Sequence, residues 1–165
     1  MLPCGSRWFC VVTLPHQEHR AARELGNQGY ATFLPLHLAR HGMHHTAVVP
    51  LFTGYAFTAF DPAVAAWGAI RSTRGVLALI RHAPDRPTPL PPGVIENLIA
   101  RTSSRGIVDD PGDNAPHSTL HAVQPQEWRN ITSLGSSARV RLLCRLFGPD
   151  AAQRIVSDDE TMHAA

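Results

Sequence analysis

At 165 residues with 44 % apolar side chains, the chain can bury a real core and fits one compact domain with a small appendix or a long tail. No apolar run is long enough to span a bilayer, and no basic stretch followed by a long apolar one suggests a secretion signal, so the expectation is a soluble, cytoplasmic protein with no membrane role. The net charge of +2 is too small for bulk electrostatics to indicate nucleic acid; such contact would need local clusters of the 15 basic residues, all arginine, whose planar fork suits phosphate and base edges.

Arg7–Thr13 (RWFCVVT) is rich in β-branched and aromatic residues and reads as a strand with Trp8, Cys10 and Val12 on one face. After the Leu14-Pro15 break, His16–Gln28 carries Ala21, Ala22 and Leu25 at helical spacing, with Arg20, Arg23 and Glu24 on or near the other side. Gly26 and Gly29 are two possible stops for that helix. Tyr30–Leu36 reads as a strand that Pro35 bends or confines to an edge. The histidine-rich stretch His37–Thr46 reads as the tip of a long hairpin, from which Ala47–Leu51 returns to the sheet and Thr53-Gly54 turns.

Gly54–Asp61 is the best-patterned strand: Tyr55, Phe57 and Ala59 alternate with Ala56, Thr58 and Phe60, so both faces touch something. Asp61-Pro62 is a helix start, with Asp as the cap and Pro at the first helical position. The helix expected over Asp61–Ser72 carries Val64, Trp67 and Ile70 and stops at Gly75. Val76–His82 is a buried strand, the proline-rich Pro84–Gly93 an extended connector, and Val94–Ala100 a short amphipathic helix. The reading is α+β, an antiparallel sheet flanked by helices, over residues 1–101. A linker over 102–129 and a C-terminal segment over 130–165 follow.

Several of these blocks together resemble the N-terminal domain of the NusG family of transcription elongation and antitermination factors. They are Trp8 in the first strand, Glu18, Ala22 and Leu25 in the first helix, Phe33–Pro35, PLFTGYAFTAFD at Pro50–Asp61, and IRSTRGV at Ile70–Val76. The resemblance covers roughly residues 7–100. It implies a factor that binds RNA polymerase and modulates pausing or termination without chemistry of its own, acting as a monomer and needing no cofactor. By motif position it implies that Phe52, Tyr55 and Phe57 meet the clamp helices of the largest subunit. The segment with Trp67 and Ile70 would then approach the gate side of the second-largest subunit. Arg20, Arg23, Arg71, Thr73 and Arg74 would face upstream DNA and the non-template strand.

Two departures from the family pattern stand out. Ala66-Trp67-Gly68 occupies the position of the His-Thr-Thr element of RfaH-type paralogues, so the gate-side contact must differ. Pro111-Gly112-Asp113 begins a KOW-type barrel, but Asn114–Leu120 supplies neither its apolar strand nor its turn. The KOW part therefore reads as shortened or degenerate, which leaves open whether ribosomal or termination-factor contacts carry over. Arg139–Phe147 fits period two and helical period equally well. In RfaH-type members the C-terminal domain can form helices over the polymerase site; the resemblance implies that this segment packs as a helix on Tyr55 and Phe57.

Other function classes have less support. A nucleic-acid-binding module that stacks single strands on the aromatic sheet face is the alternative. His37, His41, His44 and His45 could hold a metal, but no carboxylate or cysteine stands at ligand spacing. Cys4, Cys10 and Cys144, odd in number and far apart, read as idle thiols in a reducing compartment. There is no Gly-rich phosphate loop and no Cys-x-x-Cys, and no carboxylate pair shares a face. An enzyme is not expected.

Overall fold

The computed structural model describes residues 2–41, 45–83, 85–108 and 134–145. Its centre is a four-stranded antiparallel sheet of β1 (Arg7–Thr13), β2 (Ala31–Phe33), β5 (Tyr55–Phe60) and β6 (Val76–Leu79), in the order β2-β5-β1-β6. Strands β1 and β5 pair over nearly their full length, from Arg7 opposite Phe60 to Val12 opposite Tyr55. That register fixes which residues share a face, because side chains alternate with period two.

One face collects Phe9, Val11, Ala56 and Phe60 against Ala21 and Leu25 of helix α1 (Glu18–Asn27), together with Ile70. Phe9 and Phe60 stack there with ring centroids 4.1 Å apart. The other face collects Trp8, Cys10, Tyr55, Phe57 and Ala59. It is packed by Val94, Ile95 and Leu98 of helix α2 (Val94–Ala100) and by Leu142 and Leu143 of helix α3 (Ser136–Arg145). The architecture is the α+β sheet flanked by helices that the sequence pattern suggests.

Several local expectations change. Helix α1 begins at Glu18 rather than His16, since His16 holds φ 59°, outside the helical region. The α-helix expected over Asp61–Ser72 is a turn followed by a 3₁₀ helix, Trp67–Ser72. Asp61 does accept a bond from Ala63 N at 2.9 Å, but in the 3₁₀ helix only Ile70 is buried. With so small an apolar face, packing does not sustain a longer helix. Val76–His82 splits at Ile80, and Arg81–Ala83 (β7) instead pairs with Arg86–Pro87 (β8) inside the expected connector. The described residues of the histidine-rich stretch lie in a two-stranded ribbon, β3 (Leu36–His41) with β4 (His45–Pro50). The first part of the expected linker is packed: Val108 is buried and its N–H donates to Leu36 O at 2.8 Å. Residues 109–129, and with them Pro111-Gly112-Asp113, lie outside the described residues, as does Phe147.

Candidate functional site

The aromatic cluster at the start of β5 is built by a turn. Gly54 adopts φ 84°, a conformation that costs glycine little, and its carbonyl accepts from Thr13 N at 2.8 Å. The buried carboxylate of Glu18, in the first turn of α1, accepts from Gly54 N at 2.9 Å. The opening of β5 is thus tied to both β1 and α1. Phe52 and Phe57 then meet edge to face at 5.7 Å and 88°, a geometry that aromatic quadrupoles favour.

This cluster is not an open sheet face as the structure stands. Phe52 and Phe57 are fully buried and Tyr55 is 7 % exposed. The helical choice for 139–145 is the one the structure takes: Leu142 and Leu143 of α3 join the same apolar cluster as Phe52, Tyr55 and Phe57. Arg139 on the same helix is also buried; its Nη1 lies 2.6 Å from His37 Nε2 and donates to Leu51 O at 3.2 Å. Burial pushes the thiols of Cys10 and Cys144 upward, Cys10 well above the ordinary 9.0, with each neighbour adding its part: Cys144 raises Cys10 further, while a hydrogen bond with Tyr55 works downward on Cys144. No local sequence signal marks Arg139 and Cys144 as site residues; only tertiary placement sets them against His37 and Tyr55.

The second group of candidates divides. Ile70 is fully buried in the opposite core and Thr73 is buried with its hydroxyl bonded to Ala69 O and Gln28 Nε2. Both therefore position the segment rather than present a surface. Trp67 is half-buried, packed at the margin of that core, so it retains an accessible edge. Arg20, Arg23, Arg71 and Arg74 are all exposed.

The two basic segments meet. Gly75 (φ 88°) approaches α1 so closely that a Cβ there would stand 2.9 Å from Ala21 N and 3.2 Å from Gln17 O. Gln28, just past the other end of α1, reaches Thr73 at 2.9 Å. Arg71 and Arg74 are thereby held along α1, which carries Arg20 and Arg23. Among the described residues the sole ion pair is Arg23 with Glu24 at 3.2 Å, so Arg20, Arg71 and Arg74 keep their charge uncompensated by a carboxylate there. Also among the described residues, no three His, Cys, Asp or Glu side chains converge as metal ligands would; His44 and the side chains of His41 and His45 lie outside them. No described helix is long and apolar enough to cross a membrane.

Comparison with known proteins adds the following. Residues 6–99, more than half of the chain, match the family described as "Transcription termination factor nusG". Among solved structures the chain is similar to one titled "Domain interaction in Thermotoga maritima NusG". The identity is 19 %, over 55 % of this chain and 53 % of that one, with a TM-score of 0.40. The chain thus spans about half the length of that relative. No curated protein matches.

Proposed function

The chain belongs to the NusG family of transcription factors, and from that premise we propose that it binds transcribing RNA polymerase across the clamp and modulates pausing or termination. The observation that carries the proposal is the shared seat of α3 and the aromatic cluster. Phe52, Tyr55 and Phe57 form one patch on a single sheet face, and α3, from a distant part of the chain, packs on it. Large rigid aromatics of this kind suit an interface anchor.

In this proposal the patch receives the clamp helices of the largest subunit once α3 has lifted, as in RfaH-type members. A ten-residue helix is marginal on its own in water, so α3 persists as a helix chiefly through its packing and can exchange for a partner helix. The turn and 3₁₀ helix at 61–72, with half-buried Trp67, face the second-largest subunit. The corner of Arg20, Arg23, Arg71 and Arg74 faces upstream DNA or the non-template strand, where the charge of Arg20, Arg71 and Arg74, uncompensated by carboxylates among the described residues, favours phosphate. Family factors of this kind bind the polymerase and are not enzymes.

The test is capture of purified RNA polymerase by the full-length protein and by Tyr55→Ala, with far-UV circular dichroism as the control for folding. Loss of capture in a folded variant is the expected result; undiminished capture refutes the aromatic patch as the anchor. Salt-sensitive binding of free single strands without polymerase capture would instead favour the stacking module.

A further inference from the structure

The contact between Arg139 and His37 imposes a protonation state. A guanidinium only donates and keeps its charge at every accessible pH. At 2.6 Å from Arg139 Nη1, the Nε2 of His37 must therefore be the acceptor, which requires a neutral imidazole with its lone pair on that nitrogen. Both residues are 5 % exposed. A protonated His37 would set a donor against a donor at this distance, away from water, so the hydrogen bond from Arg139 is lost and a buried donor is left facing another.

We propose that His37 and Arg139 form a proton-sensitive latch: α3 is held over the aromatic cluster while His37 is neutral and is released as the imidazole takes up a proton. The latch rests on the reading of α3 as a removable cover. It adds a condition that the cover must meet, and it joins the ribbon β3-β4 to the state of the patch. The same guanidinium nitrogen also holds Leu51 O at 3.2 Å, next to Phe52, so displacing Arg139 strips the edge of the seat as well as its polar contact.

Among the described residues, the charged group facing His37 from α3 is Arg139. From the ribbon, Val49 stands opposite His37 and carries no charge. Ile107 and Val108, which bridge or bond to the adjacent Leu36, carry none either. Arg40, His41 and His45 stand further along the ribbon in backbone register. Beneath α3, burial keeps the Cys144 thiol neutral through this range. An ordinary histidine titrates near pH 6.5, which puts the test window between about pH 8 and about pH 5.5.

The experiment is amide exchange of the full-length protein at both ends of that window, each rate normalised to the unstructured rate at its own pH. In the wild type, protection over residues 137–145 should fall at least about tenfold from pH 8 to pH 5.5, with β1 and β5 unchanged, an energy of about 1.4 kcal/mol. His37→Gln keeps an acceptor near the Nε2 position and cannot charge, so its protection should not depend on pH. Arg139→Met should lower protection at pH 8 and remove the dependence as well. An undiminished wild-type response in either variant, or no wild-type response, overturns the latch. Absence of protection in α3 even at pH 8 would instead refute the cover itself. The β1 and β5 amides report whether each variant is folded, and either folded variant decides the matter.

Discussion

Phe52 and Phe57, on the two sides of the Gly54 turn, meet edge to face with centroids 5.7 Å apart. The turn thus folds two aromatic rings into one patch, and Leu142 and Leu143 of α3 belong to the same buried cluster. The strength of that cover can be read by removing single contacts.

Leu143 is fully buried. Truncating a buried leucine to alanine costs about 2–5 kcal/mol. Leu143→Ala should therefore speed amide exchange over residues 137–145 by at least about tenfold at pH 8 while leaving β1 and β5 protected, since opening here is local. Loss of protection throughout the sheet would mean that α3 is integral to the core and not a separable cover.

Glu18 holds Gly54 N with a buried carboxylate. Bonds to charged groups are worth about 1.5–3 kcal/mol, and Glu18→Gln retains an acceptor while losing the charge. A loss of about 1 kcal/mol or more of stability is expected, seen as a lower urea midpoint at an unchanged slope. An unchanged midpoint would show that the turn does not depend on the carboxylate.

The thiols give a pH dependence of definite sign. Burial raises Cys10 and Cys144 above the ordinary 9.0, so the unfolded chain releases these protons first. Their effect on stability is absent below that value and destabilises the fold as pH rises through and beyond it. The chain has no lysine and only two tyrosines to titrate nearby, which makes the effect visible. Urea midpoints measured from pH 7 to pH 10 should be level and then fall, and Cys10→Ala should flatten the fall. Alkylation at pH 8 should label exposed Cys4 first and Cys144 only once α3 is loosened by Leu143→Ala.

Gly75 sits against the backbone of α1 at a positive φ. Gly75→Ala combines backbone strain with a clash that no flexible side chain can relieve, costing roughly 1–3 kcal/mol. It should lower the melting temperature and weaken binding of single-stranded DNA by disturbing the Arg71 and Arg74 corner. Normal stability in this variant would show that the approach to Ala21 is looser than the structure has it.

Much of the sheet was legible in the sequence because it rests on local signals. Arg7–Thr13 and Val94–Ala100 form over the spans that alternation and amphipathic spacing indicate. Tyr55 and Phe57 fall on one face and Phe60 on the other, as period two requires. What local pattern could not supply was cover. Asp61-Pro62 looks like a helix start, yet the residues after it have little to bury, and the outcome is a 3₁₀ turn. His37 stood out only as one of several histidines; its partner is 102 residues away. In α3 the two periodicities of 139–145 are equally good, and only the waiting apolar sheet face selects the helix.

The central claim is that α3 covers a polymerase-binding patch. The direct measurement is the affinity of RNA polymerase for the full-length wild type and for Leu143→Asp, in which a charge in place of a fully buried leucine forces the helix off its seat. Tighter binding by the variant, with its sheet amides still protected, is the predicted result. Equal or weaker binding by a folded variant would contradict the account.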